Sequence, residues 1–175
     1  HHIGTAAAGY IPDARSQVDD ARFFSQSSKL VYDEPVDVET VAKHTADQFQ
    51  HYTQYAGVRP MGVALIIGGV DNNGNALFLA DPSGTYVAYN AVAIGANSDI
   101  VTEFLKKEYK PELTIDEGSM LAIAAIYLAS ETKKGVEHIK ISQIRSDTKR
   151  FETLTDEDIT KLAQSATEKY PAEHK

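Results

Sequence analysis

The sequence predicts an α+β fold in which antiparallel sheets stack face to face and helices cover the outside. Three observations predict it. Apolar strand-like segments come in hairpin-linked groups rather than alternating singly with helices. Amphipathic stripes at helical spacing come in pairs between those groups. The turn chemistry between strands, Asp71-Asn72-Asn73-Gly74 and Asp81-Pro82-Ser83-Gly84, is that of tight reversals.

Each element follows from local chemistry. Ile3 to Ala8 is small and apolar and stops at Gly9, the pattern of a buried strand ending in a tight turn. Pro12 suits the first turn of a helix, where its missing N–H costs nothing. Ala14, Val18, Ala21 and Phe23 or Phe24 continue that helix to about Tyr32, and Asp33-Glu34-Pro35 breaks it. Asp37 is placed to cap a second helix, whose inner face is Val38, Val41, Ala42, Phe49 and Tyr52. The short loop between the two makes them antiparallel neighbours.

Pro60 drives Arg59 into an extended conformation. Gly62 to Val70 reads as an apolar strand covered on both faces, with Gly62 permitting close backbone packing. Ala76 to Ala80 returns, and Tyr86 to Ile94 makes the third strand of a meander. A helix from Asn97 or Ser98 to Tyr109 turns Ile100, Val101, Phe104 and Leu105 inward. Thr114 and Glu117 form a capping-box pattern, and Met120, Leu121, Ala124 and Leu128 line the helix it starts. Ile139 to Ser146 and Arg150 to Leu154 read as a last hairpin. Thr155 then caps a terminal helix carrying Ile159, Leu162, Ala163 and Ala166. Residues 1–170 read as one domain and 171–175 as a polar tail.

Composition bounds the function. The 175 residues suit a single core, with 42% apolar and 24% charged residues. The formal charge of −8 disfavours nucleic acid and anionic lipid as partners. No run of apolar residues is long enough to span a membrane. The absence of cysteine excludes disulfides and thiolate metal sites, and fits a reducing compartment.

The chain offers few candidates for chemistry. Asp71-Asn72-Asn73-Gly74-Asn75 starts like a calcium loop, but Ala76 and Pro82 stand where the loop needs Gly and Glu. The hairpin explains it better. Asp156, Glu157 and Asp158 cluster in a first helical turn, where the macrodipole and unpaired N–H groups favour anions. His44 and His51 share a helix face without a carboxylate in phase, and no histidine pair has metal-ligand spacing. Asn97-Ser98 is a weak anion-site candidate. No serine elbow or Ser-x-x-Lys motif occurs, and no nucleophile has an adjacent base. Read from its residues, the chain is a scaffold with no metal or cofactor.

Five stretches carry a resemblance. "DQFQHYTQYAGVRPMGVALIIGGVD" is followed by "LFLADPSGT", "YNAVAIGANSD" and "VTEFLKKEYK", and upstream stands "GTAAAGYIPDARSQVDDAR". Together these resemble proteasome alpha subunits, most closely the archaeal type. The similarity covers most of the chain and weakens after about Leu128.

The resemblance implies a four-layer αββα sandwich of the N-terminal-nucleophile hydrolase type. It implies a catalytically silent, cytoplasmic subunit of a heptameric outer ring that gates substrate entry for ATP-dependent degradation. Partners would be other alpha subunits, beta subunits, and the C-termini of a regulatory ATPase or other activator. By the same resemblance the sandwich is N-terminally incomplete: the family's tail, ring-top helix and first strands would precede His1. Of the family's activator pocket, the turn at Gly9 and Tyr10 is the part carried by these residues. The alternative is a threonine protease of the same fold, a beta-type subunit or bacterial relative. That chemistry needs an N-terminal threonine, and Thr5 lies within a predicted strand. A third reading is a free-standing small-molecule-binding sandwich, which needs a deep apolar pocket.

Overall fold

The computed structural model describes residues 1–130 and 136–171. The polar-tail assignment falls almost wholly on 172–175, outside the described residues, as does His174.

Strand β1 (Ile3–Gly9) leads into helices α1 (Ile11–Tyr32) and α2 (Val38–Gln54). A meander follows: β2 (Val63–Asp71), β3 (Gly74–Ala80) and β4 (Tyr86–Ala88). Helices α3 (Ser98–Glu108) and α4 (Ile115–Ala129) come next, then β5 (Ser142–Ile144), β6 (Phe151–Thr153) and α5 (Asp156–Lys169). The first four strands pair antiparallel in the order β1-β2-β3-β4, with Thr5 opposite Ile67 and Leu65 opposite Ala80. β5 and β6 form a separate antiparallel pair.

Helices α1 and α2 cover one face of the larger sheet. Val63, Leu65 and Ile67 of β2 are buried there with Phe78 and Ala80 of β3, against Val38, Val41, Ala42 and Phe49 of α2 and Ala14 and Ala21 of α1. On the other face the β5–β6 pair lies over Gly4, close to Phe151 and Ile144. A second core joins Ile123 of α4 to Ile139, Ile141, and Ile159, Ala163 and Ala166 of α5. The order of layers is therefore helices, sheet, sheet, helices, as expected. The two sheets are also tied by a backbone bond from Phe151 N to His1 O, 2.7 Å.

Several local expectations are corrected. The third strand stops at Ala88 instead of Ile94: Tyr89 N still donates to Leu77 O at 2.9 Å, and beyond it the chain is irregular up to α3. Strand β2 is not covered equally: Val63, Leu65 and Ile67 are buried, but Ala64, Ile66 and Gly68 are only half-buried. On α1 it is Phe24 that packs inward, and Phe23 is exposed. Ile100 and Leu128 are exposed, so the inner faces of α3 and α4 are narrower than their apolar content suggests. Gly62 is also exposed. A Cβ there would meet Tyr10 Cβ at an ordinary 3.4 Å, so no close packing depends on it.

The cap of α2 is supplied from elsewhere. Asp37 occupies the N-cap position but makes no side-chain cap bond. Instead Asp71, the last residue of β2, accepts from Val38 N at 2.8 Å through Oδ2. Its Oδ1 accepts from Asn73 N at 2.7 Å, which shapes the β2–β3 turn. One buried carboxylate thus starts a helix and closes a hairpin.

The capping box of α4 forms as expected: Glu117 N donates to Thr114 Oγ1 at 3.3 Å and Thr114 N to Glu117 Oε2 at 3.0 Å. Lys169 of α5 then donates to Glu117 Oε1 at 2.9 Å, which links the start of α4 to the end of α5. The Lys169 bond first, and then those from Thr114, bring the Glu117 carboxyl down from 4.5 to about 2.

Two predictions follow from these carboxylates. Asp71→Ala leaves Val38 N buried without an acceptor and should cost ~1–3 kcal/mol in chemical denaturation. Asp37→Ala, which removes no cap bond, should stay within about 0.5 kcal/mol. Equal effects would contradict the assignment of the cap. For Glu117 the folded-state pKa is depressed, so its contribution is complete above 4.5 and is lost as pH falls toward about 2. Glu117→Gln should therefore be less stable at neutral pH and should lose stability less steeply across that acid window, as read by circular dichroism.

Candidate functional site

A densely bonded polar cluster at the chain surface sits where β1 hands over to α1. Gly9 ends the strand at φ 127°, a conformation that side-chain-bearing residues rarely adopt. A Cβ on Gly9 would run into the Gly62 carbonyl, since β1 and the entry to β2 are pressed together there. Tyr10 N donates to Gly62 O at 2.7 Å, and Tyr10 O receives Asp13 N at 3.1 Å and Ala14 N at 3.3 Å. Tyr10 stays 55% exposed, and Ile11 beside it is exposed as well.

Asp13 lies in the first turn of α1 and is buried. Its Oδ2 accepts from Arg59 Nη1 at 2.7 Å and from Gly62 N at 2.9 Å; its Oδ1 accepts from Arg59 Nη2 at 3.0 Å. This is the two-pronged guanidinium–carboxylate geometry that fixes orientation as well as charge. The Arg59 donors first, and then the Gly62 amide, hold the Asp13 carboxyl below its usual range, and the same pairing raises the Arg59 pKa. Arg59 also stands 5.2 Å from the centre of the Tyr10 ring, within cation–π reach.

Sequence reasoning placed Gly9 and Tyr10 at this turn and Arg59 in extended chain before Pro60. It did not foresee the Arg59–Asp13 pair, because the two residues are 46 positions apart. The only available signals were an acidic residue in a first helical turn and a basic residue locked by proline.

The other candidates have structural employment. Asp158 N donates to Thr155 Oγ1 at 3.2 Å, and Lys140 pairs with Asp156 at 2.8 Å. Among the described residues no cluster of His, Asp or Glu could hold a metal ion. Asn97 does not cap α3; its Nδ2 donates to Ala129 O at 2.8 Å, tying the start of α3 to the end of α4. His44, expected to lack a carboxylate, hydrogen-bonds Asp20 of α1 at 2.7 Å and stacks on Phe24 at 4.0 Å. Spacing along one helix carries no information about a carboxylate on the helix packed beside it. Thr5 is in mid-β1, opposite Ile67. Two clefts beside the β2–β3 hairpin share Asp37, Thr40 and Asn73 and are open and mainly polar, not deep apolar pockets. No helix among the described residues is long and apolar enough to cross a membrane.

Comparison with known proteins gives a consistent result. The family profile described as "Proteasome subunit" matches residues 1–144. The chain is 41% identical over 169 residues to the proteasome subunit alpha of Methanosarcina barkeri, covering 97% of this chain and 68% of that protein. It is 42% identical over 158 residues to proteasome subunit alpha 1 of Haloferax volcanii, covering 90% and 63% respectively. Against the proteasome subunit alpha of Archaeoglobus fulgidus it is 39% identical over 168 residues, covering 96% and 68%. The chain thus spans about two thirds of the length of these relatives.

The geometry of the turn separates its two glycines. Gly9→Ala adds backbone strain and a clash with the Gly62 carbonyl, each of about 1–3 kcal/mol, so it should destabilise by ~2–6 kcal/mol. Gly62→Ala should change stability by no more than about 0.5 kcal/mol. Urea midpoints of the two variants check this, and a larger loss from Gly62→Ala would reverse the assignment.

Proposed function

This chain belongs to the proteasome subunit family, and on that premise we propose that it serves as a non-catalytic alpha-type subunit of a proteasome core. In this reading it takes its place in an outer ring with other alpha subunits and stacks on a ring of beta subunits. The ring gates entry of substrates to the proteolytic chamber, in the cytoplasm. Residues 1–170 act as one domain. The turn of Gly9 and Tyr10 contributes to the surface on which the C-termini of a regulatory ATPase or another activator dock.

The observation that carries the reading is sequence identity of about 40% to archaeal alpha subunits spread over 97% of the chain. Similarity of that extent separates it from a mere likeness of fold, which hosts both enzymes and inert scaffolds. The threonine-protease alternative has no support from Thr5: it sits in mid-β1 opposite Ile67 of β2, where its nitrogen is a peptide amide and cannot serve as a base.

Co-expression with an archaeal beta-type subunit tests the proposal. The expected product is a co-purifying assembly whose peptidase activity disappears when the beta subunit lacks its nucleophile. This chain purified alone should cleave no peptide substrate and should take no label from inhibitors of N-terminal threonine proteases. Failure to co-assemble with any beta-type partner would overturn the proposal. So would activity of this chain that persists after contaminating proteasome is removed.

A further inference from the structure

The docking proposal names Gly9 and Tyr10, and the inference that follows rests on it. An exposed turn makes a specific surface only if something holds it in one conformation, because otherwise each binding event bears the cost of ordering it. The backbone supplies two constraints here, the positive φ of Gly9 and the bond from Tyr10 N to Gly62 O. Neither fixes the tyrosine ring, and the second depends on where Gly62 sits.

Gly62 is itself held from the other side. Its amide donates to Asp13 Oδ2, so Gly62 is clamped between Tyr10 N and the Asp13 carboxylate. Asp13 is oriented in turn by both terminal nitrogens of Arg59, and Arg59 also donates to Pro60 O at 3.0 Å. The same guanidinium lies over the Tyr10 ring. Arg59 is 60% exposed, whereas the Asp13 side chain is only 12% exposed. A surface arginine at this point is thus bonded to a buried carboxylate, to the chain entering β2 and, through its charge, to the exposed aromatic ring.

We propose that Arg59 and Asp13 are the positioning pair of the docking turn: together they lock the Tyr10 ring and the Gly9–Tyr10 backbone in the conformation that an incoming C-terminal segment meets. Arg59 acts through Tyr10 and Gly62, not as the main contact with the partner. The planar fork is essential to this role, since a lysine could neutralise Asp13 but could not bond both its oxygens and lie along the ring at once.

The test compares Arg59→Gln and Arg59→Lys with Arg22→Gln, whose arginine pairs with Asp19 on the exposed face of its own helix. The binding probe is a fluorescein-labelled octapeptide with the C-terminal sequence of an archaeal regulatory ATPase, titrated by anisotropy. Amide hydrogen exchange at Tyr10 and Gly62, measured without peptide, reads the turn itself. Arg59→Gln should weaken peptide binding about tenfold, Arg59→Lys should weaken it less, and Arg22→Gln should leave it unchanged. In Arg59→Gln, exchange at Tyr10 and Gly62 should accelerate about tenfold while Leu65 and Ile67 of β2 exchange as before. Unchanged peptide affinity in Arg59→Gln overturns the proposal. Equal acceleration across β2 also overturns it, since the arginine would then support the whole sheet. If the unmodified chain binds no peptide, the docking reading falls, and exchange at Tyr10 and Gly62 decides the positioning claim alone.

Discussion

The structure depends first on strand β2. It is the strand that β1 and β3 both pair with, and its residues Val63, Leu65 and Ile67 anchor the main core. Full burial of such side chains is worth about 1.5–3 kcal/mol each, which makes this short apolar row a leading favourable contribution to the fold. The helices above it are placed by that row. Phe49, Val38, Val41 and Ala42 of α2 are all but completely buried against it, whereas α1 buries only the narrow strip of Asp13, Ala14, Gln17 and Ala21.

Two carboxylates fix the ends of that strand. Asp13, at the start of α1, receives the Gly62 amide just before β2 begins; Asp71, at the end of β2, gives its carboxylate to the first amide of α2. Apolar contact is not directional and would let the helices slide over the sheet. Hydrogen bonds to ionised groups are directional and among the stronger ones, so they set register at both ends. Each carboxylate also closes its own neighbourhood: Asp71 shapes the β2–β3 turn and Asp13 gathers Arg59 and Gly62. The polar groups do at the rim what packing does in the middle.

That arrangement suits a structural subunit better than a catalyst. A catalyst needs a nucleophile with a nearby base, whereas Asp13, Asp71, Glu117, Arg59 and Lys169 are engaged in caps, turns and pairs between elements. The polar investment goes into holding surface features still. The β1–α1 turn is the plainest case, where Asp13, Arg59 and Gly62 bond to one another and to the Tyr10 backbone beneath its exposed ring. Membership of a family whose fold is shared with hydrolases is compatible with this, because function resides in the site and not in the layers.

Much of this was legible from local chemistry. Helix limits were marked by Pro12, Asp33-Glu34-Pro35, Thr114 and Thr155, and the hairpin by Asn72-Asn73-Gly74, since caps and turns are decided within four or five residues. The core face of α2 was legible from periodicity, whereas β2, apolar at nearly every position, gave no sign of which face would be buried more deeply. Where a segment meets its neighbour, local reading failed. Asp37 has the right identity to cap α2, yet Asp71 does so from 33 positions away. Tyr86 to Ile94 has strand composition throughout, yet only the three residues that pair with β3 form strand. Arg59, Asp13 and Gly62 became one cluster only when β1 and β2 came together. The sequence by itself determined which segments are helix or strand and which faces are apolar, because those properties reside in short stretches of chain. Which donor meets which acceptor across 30 to 50 residues was decided by the tertiary structure alone, because only packing brings those groups within bonding distance.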